Sequence, residues 1–236
     1  MPTEPDPPLI FVKFSYTHSS NMCDMGIRIS NNLYYSAYSY LDEWMREDRH
    51  FHQVLAFEKA NEIPAAKGIE CLVKVAKYYK VIRTLKTTEE NFRLEAAYEA
   101  LLAIEPLNKE DVVRKVENFA EVLGKVYGSI ALSAASKFLW MRFRSPVIIY
   151  DSIASGWLCK NCNYNYDGYS NYHQIWSSKY REYEEHIREA CAELKYIKKF
   201  TLACEIPDKE LSEWTISQWF MERVFDHFML NDSSGK

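Results

Sequence analysis

The chain is 236 residues long, 47% hydrophobic and 15% aromatic, with only 7 Gly and 8 Pro, a composition that excludes a disordered polymer and argues against a turn-rich β sandwich. A net charge of −4 and a pI near 5.9 exclude a polycation that coats nucleic acid indiscriminately, so any such site must be local. No run approaches the roughly 18 apolar residues of a membrane span, and the start MPTEPDPP lacks the basic and apolar regions of a signal peptide, so a cytoplasmic protein with reduced thiols at its six cysteines is expected.

In chain order, residues 1–9 read as a polar, Pro-rich tail, and Ile10 to Phe14 as a short extended segment. Residues 30–60 carry a tyrosine-rich helical pattern. Ile69, Leu72, Val73, Ala76 and Tyr79 recur at helical spacing, as do Leu94, Tyr98, Leu101 and Leu102, with Thr87 and Glu90 forming a capping box. Asn108 is placed to cap a helix whose stripe is Val112, Val116, Phe119, Ala120, Leu123 and Val126, up to Gly128. Val147 to Tyr150, which holds the β-branched run Val147 to Ile149, reads as a possible strand short enough to be an extended connector. Another long helix carries Tyr183, Ile187, Ala190, Cys191, Leu194 and Ile197, and a last one runs through Ile216, Phe220, Val224 and Phe228. Residues 231–236 read as a tail, which leaves one all-α domain over 10–230.

The segment from Val122 to Tyr166 inverts the sign of the chain: it holds one acid, Asp151, against Lys125, Lys137, Arg142, Arg144 and Lys160. Two explanations compete: a buried helix, since Ile130 to Trp140 is small and apolar, or a phosphate-facing surface around one carboxylate. GSIALSAASKFLW offers a tight turn whose free N–H groups open a second helix, with Ser133 and Ser136 near its start. Pro146 and the run Val147 to Ile149 then stop that helix and deliver Asp151 to the start of another, where it can also be a plain N-cap.

This order of helix, small-residue turn, helix bearing Lys137, Pro146 and the run Ile149-Tyr150-Asp151-Ser152-Ile153-Ala154 resembles the helix-hairpin-helix superfamily of DNA glycosylases, in its divergent 8-oxoguanine-glycosylase-like branch. The resemblance covers 108–158, with a looser similarity over Trp214 to Leu230. The usual Leu-Pro-Gly-Val-Gly hairpin is replaced by Ala131-Leu132-Ser133-Ala134-Ala135, so the motif is degenerate, and the interval from Lys137 to Asp151 is shortened. The resemblance implies a two-lobed helical bundle without a cofactor or metal, acting as a monomer on double-stranded DNA. It further implies hydrolysis of the N-glycosidic bond of a damaged or modified base, as in DNA repair. The departure from the usual hairpin and the large Tyr/Asn loop point instead to a specialised target, such as a bulky modified base in foreign or phage DNA, and so to antiviral defence.

By the same resemblance Asp151 is the catalytic carboxylate. A cation develops on the sugar as the bond breaks, and a fixed negative charge stabilises it. Lys137 is an amine nucleophile that adds strand cleavage, a phosphate contact, or a solvated lysine. The DNA-contacting set is Ser133, Ser136, Arg142, Arg144, Lys125 and Lys160. An extruded base needs aromatic walls, for which Tyr150, Trp157, Tyr164 and Tyr166 are the candidates; the last two lie in the loop CKNCNYNYDGYSNY, which also holds Tyr169 and Tyr172. The lone Cys159-x-x-Cys162 pair has no second pair for zinc, and His50 and His52 read as surface histidines. The alternatives from other classes are a non-catalytic helical DNA-binding module and a helical protein-interaction domain.

Overall fold

The structure, a computed structural model, describes residues 21–56, 64–85, 90–128, 130–162 and 164–233, with side chains described outside 21–30, 84 and 90–93. Among them there is no strand, and the fold is all-α. The 1–9 tail, the Ile10 to Phe14 segment, the Thr87–Glu90 capping box and the end of the C-terminal tail lie outside the described residues.

The helices are α1 (Asn21–Glu43), α2 (Arg49–Leu55), α3 (Ala65–Tyr78), α4 (Glu90–Leu102), α5 (Val112–Tyr127), α6 (Leu132–Phe143), α7 (Ser152–Asn161), α8 (Gly168–Ile197), α9 (Asp208–Thr215) and α10 (Gln218–Ser233). A π turn, Trp44–Asp48, joins α1 to α2 without interrupting the helical path. The extra residue in that turn sends both Trp44 and Asp48 inward.

Two helices organise the packing. From Trp219 to Met229 every residue of α10 is buried, and α1, α7, α8 and α9 pack around it. α6 is the second centre: from Ala134 to Met141 it is buried without a break, and it touches α2, α3 and α5. A helix buried all round has no polar face, so its polar groups must be paired internally. α10 meets most of that demand with Arg223, whose Nη1 donates to Asp226 Oδ2 at 2.7 Å, and with His227 Nε2, 3.3 Å from Glu43 Oε2, while among the described residues Glu222 Oε2 and Arg223 Nε are left without a hydrogen-bond partner. The apolar residues of both groups form one continuous core.

Several sequence-level expectations hold. Asn108 Oδ1 accepts from the backbone N–H of Glu110 and Asp111, capping the turn that leads into α5. Gly128 closes α5 in the left-handed region at φ 79°, and Val112, Val116, Phe119, Ala120 and Leu123 are buried as patterned. Val126, however, is exposed and Tyr127 takes the buried position, because 3.6-residue periodicity carries the stripe one residue further round by the fourth turn. The helix drawn through Ile216 breaks there: α9 ends at Thr215, Ile216 is exposed, and α10 starts at Gln218. Asn231 to Ser233, read as tail, continue α10.

The tyrosine-rich loop is shorter than its composition suggests. Gly168, at φ 83°, opens α8, so Tyr169 and Tyr172 are helical and buried. Their hydroxyls donate to the carbonyls of Ile148 and Ile149 at 2.6 and 3.0 Å. Those bonds explain how Val147 to Tyr150 lies extended in the core with no neighbouring strand: side chains supply what a ladder would.

Candidate active site

The 147–150 segment runs beside α6 and ends at Asp151. Ser136, one turn into α6, accepts the backbone N–H of Tyr150 at 3.0 Å, and Lys137, the next residue, donates from Nζ to the Tyr150 carbonyl at 3.4 Å. The approach of these two chain segments brings Lys137 Nζ within 3.2 Å of Asp151 Oδ2 and 2.7 Å of Ser133 Oγ. Asp151 has extended backbone, and its Oδ1 accepts from Ile153 N–H at 2.8 Å, so it caps α7 as its position before a helix implies.

The two side chains differ in access. That of Asp151 is 33% exposed and that of Lys137 only 4%. Burial pushes the Lys137 amine below its usual value, while the Asp151 carboxylate opposes that shift. Behind the amine, 6.0 Å away, lies the ring of Tyr79, whose hydroxyl donates to Asp48 Oδ1 at 2.7 Å. Arg223 reaches the same hydroxyl at 3.5 Å and Glu43 at 3.6 Å, and Trp176 Nε1 donates to Asp226 Oδ1 at 3.0 Å. An internal charged network therefore backs the pair. Desolvation raises Asp48 to about 7, whereas the His227 and Arg223 contacts hold Glu43 down at about 2. Of this network only Tyr79 was named from the sequence, and then as part of an apolar stripe rather than as a site residue. The available signal was WFMERVFDHFM, an apolar helical run in which Glu222, Arg223, Asp226 and His227, at i, i+1, i+4 and i+5, fall on one side of the helix.

The other expected site residues divide into those near the pair and those built into the core. Tyr150 is half-buried, with its ring 5.7 Å from exposed Tyr166 and 5.0 Å from Tyr172. Ser133 is half-buried and holds the amine. Ser136 is fully buried, so its hydroxyl serves the Tyr150 backbone and offers nothing to a phosphate. Tyr164 is buried as well. Trp157 is buried with its Nε1 donating to Asp232 at 2.8 Å, and with Lys160 and Ile153 it borders a cleft of about 280 Å³ on the outer side of α7.

Arg142 donates to the carbonyl of Leu101 and lies over Phe143, and the Arg144 guanidinium sits 4.6 Å over the Trp219 ring. Both are partly buried, their charges engaged by carbonyl and π faces; Arg144 also adopts φ 57°, a left-handed backbone rare for a side chain of its size. Lys125 and Lys160 are the exposed cations of the set. His52, read as a surface residue, is half-buried under the end of α6: Nδ1 donates to Met141 O at 2.9 Å and burial lowers its pKa to about 4. Among the described residues no group of three or more His, Cys, Asp or Glu is arranged to hold a metal, and no helix is long and apolar enough to cross a membrane.

No protein-family model matches this chain, and no curated protein or solved structure matches it.

Proposed function

We propose that the protein is a DNA glycosylase that releases a damaged or modified base, with Asp151 as the catalytic carboxylate. The observation that carries this reading is the Lys137–Asp151 pair: a carboxylate fixed by a helix N-terminus, one-third open to solvent, with a buried amine 3.2 Å behind it. In this reading α5 and α6, joined through Gly128 to Ala131, are the degenerate helix-hairpin-helix. The α2–α6 helices around α6 and the α1 and α7–α9 helices around α10 are the two lobes.

The chemistry follows from the order of access. A deoxyribose brought to the start of α7 meets Asp151 before Lys137. As the C1′–N bond lengthens, its electron pair leaves with the base and positive charge gathers on the sugar. Asp151 stabilises that charge without having to reorganise, because Ile153 N–H and the Lys137 ammonium already hold both of its oxygens. Water then adds to C1′. A Lys137 amine that has lost its proton to solvent can instead add to C1′, open the sugar as a Schiff base and eliminate the 3′ phosphate. Because the amine is the less accessible group, base release is expected to outrun strand cleavage. Tyr150 and Tyr166 supply the aromatic surface for an extruded base.

The test is incubation of the protein with duplexes carrying different damaged and bulky modified bases, half of each sample then being treated with alkali. Breaks that appear mainly after alkali, abolished in Asp151→Asn, are expected. A bulky modified base typical of foreign DNA is the expected preference, and cleavage confined to oxidised guanine counts against it. Binding that weakens with salt while every base stays attached assigns a DNA-binding module instead, and absence of DNA affinity assigns a protein-interaction domain.

A further inference from the structure

The turn that closes α8 presents large apolar side chains to solvent. Phe200, at the end of the 3₁₀ turn Lys198–Phe200, is 72% exposed and Leu202 is 51% exposed, whereas Thr201 and Ala203 are buried. Hydrogen bonds fix which residues face out. Thr201 Oγ1 donates to Lys198 O at 2.8 Å and accepts from Ala203 N–H at 3.0 Å, and Lys198 Nζ donates to Ile206 O at 2.7 Å. Two further bonds tie the turn to α1: Leu202 N–H donates to Asp42 Oδ1 at 3.0 Å, and the Tyr38 hydroxyl donates to Phe200 O at 3.4 Å. A turn pinned in this form holds its apolar side chains ready for a partner at little further cost in ordering.

Neighbouring residues extend the patch. Tyr196 and Ile197 precede Phe200 by one turn, Tyr34 and Tyr35 precede Tyr38 by one turn of α1, and all four are exposed. An aromatic side chain offers ~150–250 Å², so at these exposures the six residues present on the order of 600 Å². That is the upper limit for a patch on a monomeric protein and approaches the roughly 800 Å² that each partner gives to a stable interface.

The margin of the patch carries both signs. Lys195 and Lys199 are exposed, their ammonium groups 4.7 and 4.9 Å over the rings of Tyr196 and Phe200. Glu193, one turn before Tyr196, and Glu205, just beyond Leu202, are exposed as well, and among the described residues none of the four enters an ion pair. A partner of one sign, such as an anionic lipid surface, would match two of these charges and oppose the other two. A second copy of the same patch carries both signs, and under a twofold axis each residue that meets its opposite is met in return.

We propose that the chain forms a twofold dimer through this patch, with Phe200 and Leu202 of each copy at its centre. The dimer uses none of the residues assigned to base excision, and it departs from the monomer that the family resemblance implies.

Sedimentation equilibrium of the full chain across a micromolar concentration series tests it. The wild type is expected to reach twice the chain mass of 27.8 kDa. Phe200→Ser/Leu202→Ser, which alters only exposed side chains, is expected to weaken association by at least about tenfold with unchanged circular dichroism. Lys195→Glu/Lys199→Glu and Glu193→Lys/Glu205→Lys are each expected to associate weakly alone and to form a mixed dimer when combined. A wild type that stays at the chain mass, a dimer indifferent to the serine variant, or charge variants that do not pair with each other overturns the proposal. If the wild type is monomeric, Phe200-dependent flotation with anionic phospholipid vesicles assigns the patch to a lipid surface instead. Dimerisation that appears only in Phe11→Asp/Phe14→Asp assigns it to the Ile10 to Phe14 stretch of the same chain.

Discussion

Asp151 divides its two oxygens between two duties: Oδ1 holds the first turn of α7 and Oδ2 faces the Lys137 ammonium. The division makes its substitutions separable. Asparagine caps a helix as well as aspartate does, so Asp151→Asn is expected to keep its circular dichroism while base release falls by roughly 10²–10³-fold, the loss typical of removing one preorganised electrostatic group. Asparagine and alanine both remove the counter-charge of the buried ammonium, which keeps Ser133 Oγ and the Tyr150 carbonyl, and alanine removes the cap as well, so Asp151→Ala is expected to be about 1 kcal/mol less stable than Asp151→Asn in denaturant titration. Lys137→Met behaves differently: it removes a charge whose burial is opposed by desolvation, and Asp151 keeps its contact with water. At neutral pH that variant is expected to match or exceed the wild type by roughly 1 kcal/mol, while trapping of a Schiff base with borohydride disappears. The sign of the pH dependence follows from the lowered amine: the unfolded chain binds the proton more tightly, so the wild type gains stability as pH rises toward the ordinary lysine value of 10.5, and the advantage of the Met variant shrinks over the same window.

At the scale of elements, α3 and α4 meet through a glycine. A Cβ at Gly68 would lie within 2.4 Å of three atoms of the buried Tyr98 ring and hydroxyl, so Gly68→Ala is expected to lower the unfolding free energy by about 1–3 kcal/mol despite the better helix propensity of alanine. α5 was legible from its apolar stripe and closing glycine, the α4 stripe from its spacing, and the Asp151 cap from the break at Pro146, because these features are written in residues close together in the chain. The fates of Arg142, Ser136, Trp157 and His52 were not, because each is decided by a partner 14 to 89 positions away: Leu101 O, Tyr150 N, Asp232 and Met141 O. The tyrosine loop misled for a related reason. Asn and Tyr have weak helix propensities, and only the packing of Tyr169 and Tyr172 against Ile148 and Ile149 overrides them. The Lys137–Asp151 pairing was half legible: the sequence supplied both residues, but their contact depends on the extended segment turning back along α6.

For the molecule as a whole, the local excess of cations turns out to be partly internal. With Arg142 and Arg144 engaged by Leu101 and Trp219, the affinity for DNA is expected to fall with salt at a slope reflecting only about two to four released counterions, well below that of a strongly basic binder. Fluorescence anisotropy across a salt series measures it. Buried acids give the fold a second dependence. Glu222 holds its proton to about 7, whereas an unfolded glutamate releases it near 4.5, so this residue weakens the fold as pH climbs between those values. Relative to the wild type, Glu222→Gln is therefore expected to melt at a progressively higher temperature as pH is raised from 5 to 8.

The complete enclosure of α10 from Trp219 to Met229 has a kinetic corollary. A helix with neighbours on every side cannot open its amides by fraying or by the detachment of one face, since α1, α7, α8 and α9 would all have to part. Its central N–H groups should be the last in the protein to take up deuterium, at a rate set by global unfolding. The amides of the neighbouring shell, those of α9 among them, should become labelled long before.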